Sequence, residues 1–170
     1  GINQDDEQIP CVMNNFAYNN ENGWGNNELI ISGQSHVIVP ISPLSNNAKY
    51  GFTLDIEFST KHIGVENAEV LSLWDDTKNC GIKITTDEVI MRSAAGNELR
   101  LFFSEDETIS AMFEIDRNEK TAKIFLNGVM CKCMPLNDYV ASGVSYLEDF
   151  STDSFVYLGG QDTNGWCKIK

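Results

Sequence analysis

The pair Asn127-Gly128 constrains this chain more than any other two residues. It sits between two strand-like runs, residues 122–126 and 129–131. Both residues tolerate the positive φ of a type I′ turn, so the pair predicts a tight β-hairpin. The run Thr108–Asp116 comes just before, separated by the polar loop Arg117-Asn118-Glu119-Lys120. Three consecutive strands joined by short turns make an antiparallel meander.

The rest of the chain carries the same period. Along Tyr50–Ser59, Phe52, Leu54, Ile56 and Phe58 point one way, while Thr53, Asp55, Glu57 and Ser59 point the other. Further strands are expected at 28–32, 36–39, 69–74, 81–85, 88–92, 98–104, 155–158 and 166–170. Thr86-Asp87 turns one hairpin, and Pro40 and Pro43 end a strand because proline cannot donate to a ladder. The polar, Asn-rich stretch 1–25 reads as a loop across one edge, and 135–153 as irregular chain with short helical turns. No apolar period of helical spacing is sustained. The expected fold is an all-β antiparallel sandwich, with an edge segment over 1–27 and the domain proper over 28–170. Phe52, Leu54, Ile56, Phe58, Phe113, Ile115, Ile124 and Leu126 are expected in its core.

Charge narrows the partners. Twelve basic residues against 25 acidic ones give a formal net charge of −13. Such a surface repels nucleic-acid phosphates and anionic membranes. No apolar run approaches the roughly 18 residues of a membrane span, so membrane insertion is not expected. A neutral glycan or a cationic protein surface remains. Five cysteines, Cys11, Cys80, Cys131, Cys133 and Cys167, are scattered without a disulfide framework. They read as mostly buried thiols of a protein made in a reducing cytoplasm. With only His36 and His62 besides, no metal-finger spacing exists.

Four segments together resemble one family. They are "NGWGNNELIISGQSHVIVPISP" (22–43), "GFTLDIEFST" (51–60), "ISAMFEIDRNEKTAKIFLNGV" (109–129) and the closing "FVYLGG…GWCKIK" (155–170). Their order resembles the concanavalin A-like, laminin-G-like jelly roll, and especially modules of phage tail structural (receptor-binding) proteins. The resemblance implies a lectin-like adhesion module on a virion tail or a cell surface. Its partner would be a cell-surface glycan, or other tail or surface subunits. Family members that hold calcium often place an Asp just before the last strand. Here that stretch is Trp166-Cys167-Lys168, with Asp162 the nearest carboxylate, so no cofactor is expected and calcium is only an alternative.

The strand 53–58 also resembles the catalytic strand of laminarinase-type glycoside hydrolases. Those enzymes need two carboxyls about 5 Å apart for a retaining mechanism. Asp55 and Glu57 match two acidic positions, but Thr53 stands at the nucleophile. No Gly-x-Ser-x-Gly elbow or phosphate loop occurs either. A non-catalytic binder is expected.

Sugar binding needs an aromatic ring for the apolar pyranose face and Asp, Asn or Gln for the hydroxyls. Trp74 with Asp75, Asp76 and Asn79 is the preferred corner, because strand-end loops carry function. Trp166, near Gln161, Asp162 and Asn164, is the second group. Trp24, between Gly23 and Gly25, instead resembles a packing residue of the jelly-roll family that plugs the end of the sandwich.

Overall fold

The computed structural model describes residues 10–40, 51–61, 68–77, 79–93, 96–104, 106–116, 118–135, 155–160 and 165–170. The strands are β1 (Val12–Asn14), β2 (Gly23–Gly25), β3 (Glu28–Gly33), β4 (His36–Pro40), β5 (Gly51–Thr60), β6 (Glu69–Asp75) and β7 (Cys80–Thr85). They continue with β8 (Glu88–Arg92), β9 (Glu98–Phe102), β10 (Thr108–Asp116), β11 (Thr121–Leu126), β12 (Val129–Pro135), β13 (Phe155–Leu158) and β14 (Gly165–Ile169). They form two seven-stranded sheets. Sheet one runs β1-β4-β13-β6-β7-β8-β9, and sheet two runs β12-β11-β10-β5-β14-β3-β2. The pairings are antiparallel, and the two sheets stack as an all-β sandwich.

The predicted meander is present. Asn127 (φ 51°) and Gly128 (φ 77°) both take the left-handed backbone that a type I′ turn requires. The expected irregular stretch beyond Pro135 lies outside the described residues. The Asn-rich N-terminus differs from expectation. Instead of only a loop, it carries the two three-residue edge strands β1 and β2. Three residues are too few to show a period; backbone ladders to β4 and β3, with side-chain hydrogen bonds around them, fix these strands.

Alternation delivers the core. Phe58, Phe113 and Ile124 of sheet two meet Leu71, Ile82, Ile84, Val89 and Met91 of sheet one. Each fully buried large side chain contributes roughly 1.5–3 kcal/mol. Phe58 meets Phe103 edge to face, with ring centroids 5.5 Å apart. The buried Thr60 hydroxyl donates to the Thr86 carbonyl at 2.8 Å and so ties β5 to the β7–β8 turn. Of the eight expected core residues, Phe52, Leu54 and Leu126 are only half-buried. Leu54 borders an open cleft, and Leu126 leads into a turn followed by exposed Val129.

Candidate functional site

Among the described residues, the two most exposed aromatic side chains outside the β9 edge, Tyr18 (70 %) and Trp24 (68 %), belong to one small hairpin. Its ladder is closed by Asn19 and Asn22, whose backbone N–H groups donate to each other's carbonyls at 3.1 and 3.3 Å. Gly23 (φ 151°) lies so close to Tyr18 that a Cβ there would stand 3.1 Å from the Tyr18 Cα. Asn26 (φ 54°) and Asn27 (φ 63°) then turn β2 into β3 through left-handed backbone, which Asn tolerates well.

Side-chain bonds brace this hairpin on the β3–β4 turn. Asn22 Nδ2 donates to Ser35 Oγ at 2.7 Å and to the Ser32 carbonyl at 3.3 Å. Ser35 Oγ donates to the Asn15 carbonyl at 2.8 Å, and Ser32 Oγ to the Glu21 carbonyl at 3.2 Å. The Tyr18 ring leans on Phe16, with centroids 6.1 Å apart. Phe16 in turn packs on the core. Around the two rings the side chains of Asn19, Asn20, Asn26 and Asn27 are exposed. The result is a fixed scaffold that offers apolar ring faces beside amide donors and acceptors. Trp24 therefore does not plug the sandwich. It stands on edge strand β2, where no further strand covers it among the described residues.

The Trp74 corner is differently built. Trp74 is half-buried, and Lys83 Nζ sits 5.1 Å from its ring centroid while pairing with Glu69 Oε1 at 2.8 Å. Asp75 Oδ1 accepts the Thr77 N–H at 2.9 Å and shapes the turn. Asp76 and Asn79 are exposed, Asn79 with φ 52°. Gly81 opposes Trp74 in the ladder at φ 135°, and a Cβ there would fall 2.2 Å from the Leu73 carbonyl oxygen. The ring is thus held by the sheet and capped by a cation, with little face left over.

The other candidates are dispersed. Trp166 is half-buried under Lys61 Nζ, 4.5 Å from its centroid. Gln161, Asp162, Asn164 and His62 lie outside the described residues. His36 joins β4 to β1, with Nε2 3.1 Å from Asn14 Nδ2, which makes it a structural bridge. Thr53, Asp55 and Glu57 are exposed on the outer face of sheet two, and Glu57 Oε1 pairs with Lys170 Nζ at 3.0 Å. Among the described residues no group of three His, Cys, Asp or Glu side chains could hold a metal ion.

The thiols depart from expectation. Cys80 and Cys167 are buried, but Cys11, Cys131 and Cys133 are exposed. Burial pushes the Cys167 thiol up to about 12. Cys131 and Cys133 ride on edge strand β12, where Ile124 pairs with Lys132 and Phe125 with Met130. Cys131 is thus bulged out of the ladder. Its thiol donates to the Val129 carbonyl at 3.3 Å. On this flank Phe102 (70 %), Val129 (64 %) and Met130 (53 %) are also exposed.

No protein-family model matches the chain, and no curated protein matches its sequence. Its fold does have solved counterparts. The botulinum neurotoxin serotype D binding domain superposes with a TM-score of 0.59 at 13% identity, over 85% of this chain and 37% of that one. The binding domain of botulinum neurotoxin serotype D/C VPI 5993 gives 0.60 at 13% identity, over 96% and 42%. A Trypanosoma rangeli sialidase in complex with 2,3-difluorosialic acid gives 0.57 at 12% identity, over 84% and 24%. The chain spans less than half the length of each of these structures. The likeness is one of fold: a β-sandwich of the kind these binding domains contain.

Proposed function

We propose that this domain is a non-catalytic carbohydrate-binding module that attaches its parent protein to a cell-surface glycan. The observation that carries the reading is the braced hairpin of Tyr18 and Trp24. Two exposed rings and a fringe of Asn side chains, held rigid by the Asn22–Ser35–Asn15 bonds, suit a pyranose face and its hydroxyls. The Trp74 corner, with exposed Asp76 and Asn79, is a second and smaller contact in the same proposal. Fold similarity to toxin binding domains supports the reading at the level of architecture alone. The sequence resemblance suggests a phage tail or a multimodular surface protein as the parent, with the domain on the virion tail or outside the cell. The outward-facing Asp55 and Glu57, beside Thr53, fit a solvated sheet face better than a hydrolase centre.

The exposed Phe102, Val129 and Met130 favour a second reading, an assembly module that docks on other subunits. A glycan array probed with the multimerised domain separates the two. Binding to a defined sugar set, lost in the Tyr18→Ser/Trp24→Ser variant, supports the first. An array with no binding, or binding that this variant retains, overturns it.

A further inference from the structure

The charge around the Tyr18–Trp24 hairpin has one sign. Between residues 10 and 40 the chain carries two carboxylates, Glu21 and Glu28, and no Lys or Arg. Lys168 of β14 reaches this end of sheet two, but its Nζ is held by Glu28 Oε2 at 3.0 Å. His36 is engaged at both ring nitrogens, by Asn14 Nδ2 at 3.1 Å and the Gln34 carbonyl at 3.3 Å. Glu21 is what remains. It stands at the tip of the hairpin, between Asn20 and Asn22. Its N–H donates to Asn19 Oδ1 at 2.9 Å, and its carbonyl accepts from Ser32 Oγ at 3.2 Å. The backbone is thus pinned on both sides while the side chain is exposed, and no cation pairs with it among the described residues.

Three kinds of sugar would meet this surface differently. A sialic or uronic acid brings a carboxylate that finds no cation in the hairpin and is repelled by Glu21 and by a net charge of −13. A neutral sugar uses the ring faces and the Asn amides and gains nothing from the charge. An amino sugar with a free amine uses every feature. The Tyr18 and Trp24 rings attract a cation over their faces. Glu21 accepts a charge-assisted hydrogen bond from the ammonium. Its remaining N–H groups suit the side-chain carbonyls of the Asn fringe. N-acetylation removes the charge and leaves a single N–H, so it separates this recognition from ordinary stacking.

We propose that the Tyr18–Trp24 hairpin selects glycans bearing an unacetylated amino sugar, with Glu21 as the residue that sets this specificity. The inference rests on the carbohydrate reading of the same hairpin and names the sugar class that this reading leaves open.

The test titrates the full chain with chitotetraose and with its fully deacetylated form, which differ only in the acetyl groups. In low-salt buffer the deacetylated form should bind about fivefold more tightly, the size expected of an exposed cation–π contact with an exposed ion pair. The gap should close in salt of about 0.5 M. Glu21→Gln should weaken binding of the deacetylated form about threefold more than binding of chitotetraose, without lowering the melting temperature. Sialyllactose should bind no better than lactose. Equal binding of the two tetrasaccharides, or a preference that Glu21→Gln leaves intact, overturns the inference. So does sialyllactose that binds more tightly than lactose. In each of these cases, binding lost in Tyr18→Ser/Trp24→Ser leaves the carbohydrate reading standing, whereas no sugar binding at all overturns both. Oligolysine that displaces the deacetylated sugar and binds the same rings more tightly would reassign the site to a basic protein surface.

Discussion

Truncating Trp24 and truncating Trp74 should have opposite consequences. Trp24 is 68 % exposed, so about a third of it is removed from water. A Trp offers up to about 250 Å² for burial, which makes the buried share roughly 80 Å². At about 25 cal/mol per Å² that share is worth at most about 2 kcal/mol, and part of it survives in the alanine. Trp24→Ala should therefore cost about 1 kcal/mol. Trp74 is half-buried against the sheet, and Lys83 lies 5.1 Å from its ring. Its truncation should cost about 3 kcal/mol, near the low end for large aromatics, with the cation–π contact supplying roughly 0.5–1 of that. Urea melts of both variants read the stability difference, and the same samples can be titrated with the sugar selected on the array. Single sites of this kind bind at roughly −4 to −8 kcal/mol, so the loss of one stacking ring should weaken binding about tenfold or more. The expected pattern is weak binding with near-native stability for Trp24→Ala, and the reverse for Trp74→Ala. If Trp24→Ala proved as destabilising as Trp74→Ala, the ring would be a packing residue and the platform would be misplaced. Binding that survived Trp24→Ala but vanished in a stable Trp74→Ala would move the site to the second corner.

Further outcomes follow from packing and chemistry. Titration with a thiol reagent should modify three cysteines quickly in the native state, Cys11, Cys131 and Cys133, and Cys80 and Cys167 only after unfolding. Because burial raises the Cys167 thiol from 9.0 to about 12, the unfolded chain gives up this proton first. Its contribution is fully present below pH 9 and falls by about 1.4 kcal/mol per pH unit as pH rises toward the folded value. The stability of Cys167→Ala, measured across the same range, should decline less steeply than wild type. Gly81→Ala would drive a Cβ to 2.2 Å from the Leu73 carbonyl oxygen at φ 135°, so a loss of about 2–4 kcal/mol in a denaturant melt is expected. Laminarin and lichenan should not be turned over; hydrolysis abolished by Glu57→Gln would refute the non-catalytic reading.

The parts legible in the sequence were those with a backbone rule behind them. Asn127-Gly128 announces its turn because few residue pairs accept that geometry, and 52–59 announces its strand because eight residues alternate without a break. β1 and β2 have no such rule behind them. Three residues show no period, and a network of Asn22, Ser32 and Ser35 holds them, with donors and acceptors far apart in sequence. The clue that was present, Asn26-Asn27, is a weaker turn signal than Asn-Gly. Trp24 reads as packing in the sequence because it resembles a family residue that plugs the end of the sandwich. Its exposure comes from β2 being an edge, which only the strand order reveals. The exposure of Cys131 and Cys133 has the same origin: β12 ends its sheet, and its bulge turns Cys131 out.

The strand order has a consequence for how the chain comes to be folded. β13 lies between β4 and β6, and β14 lies between β5 and β3. Neither sheet is continuous until residues 155–169 have been synthesised. Before that, a nascent chain can assemble β6-β7-β8-β9 and β12-β11-β10-β5 as separate ribbons, with β4 and β3 waiting for neighbours that do not yet exist. Closure then requires pairings such as Cys167 with Ile31, across most of the chain, and topologies of this kind fold in milliseconds to seconds rather than microseconds. During that interval four ladder edges stand open, each able to template pairing with another copy. A net charge of −13 keeps copies apart while the last two strands arrive, so the acidity of the mature surface also protects the ribosome-bound chain.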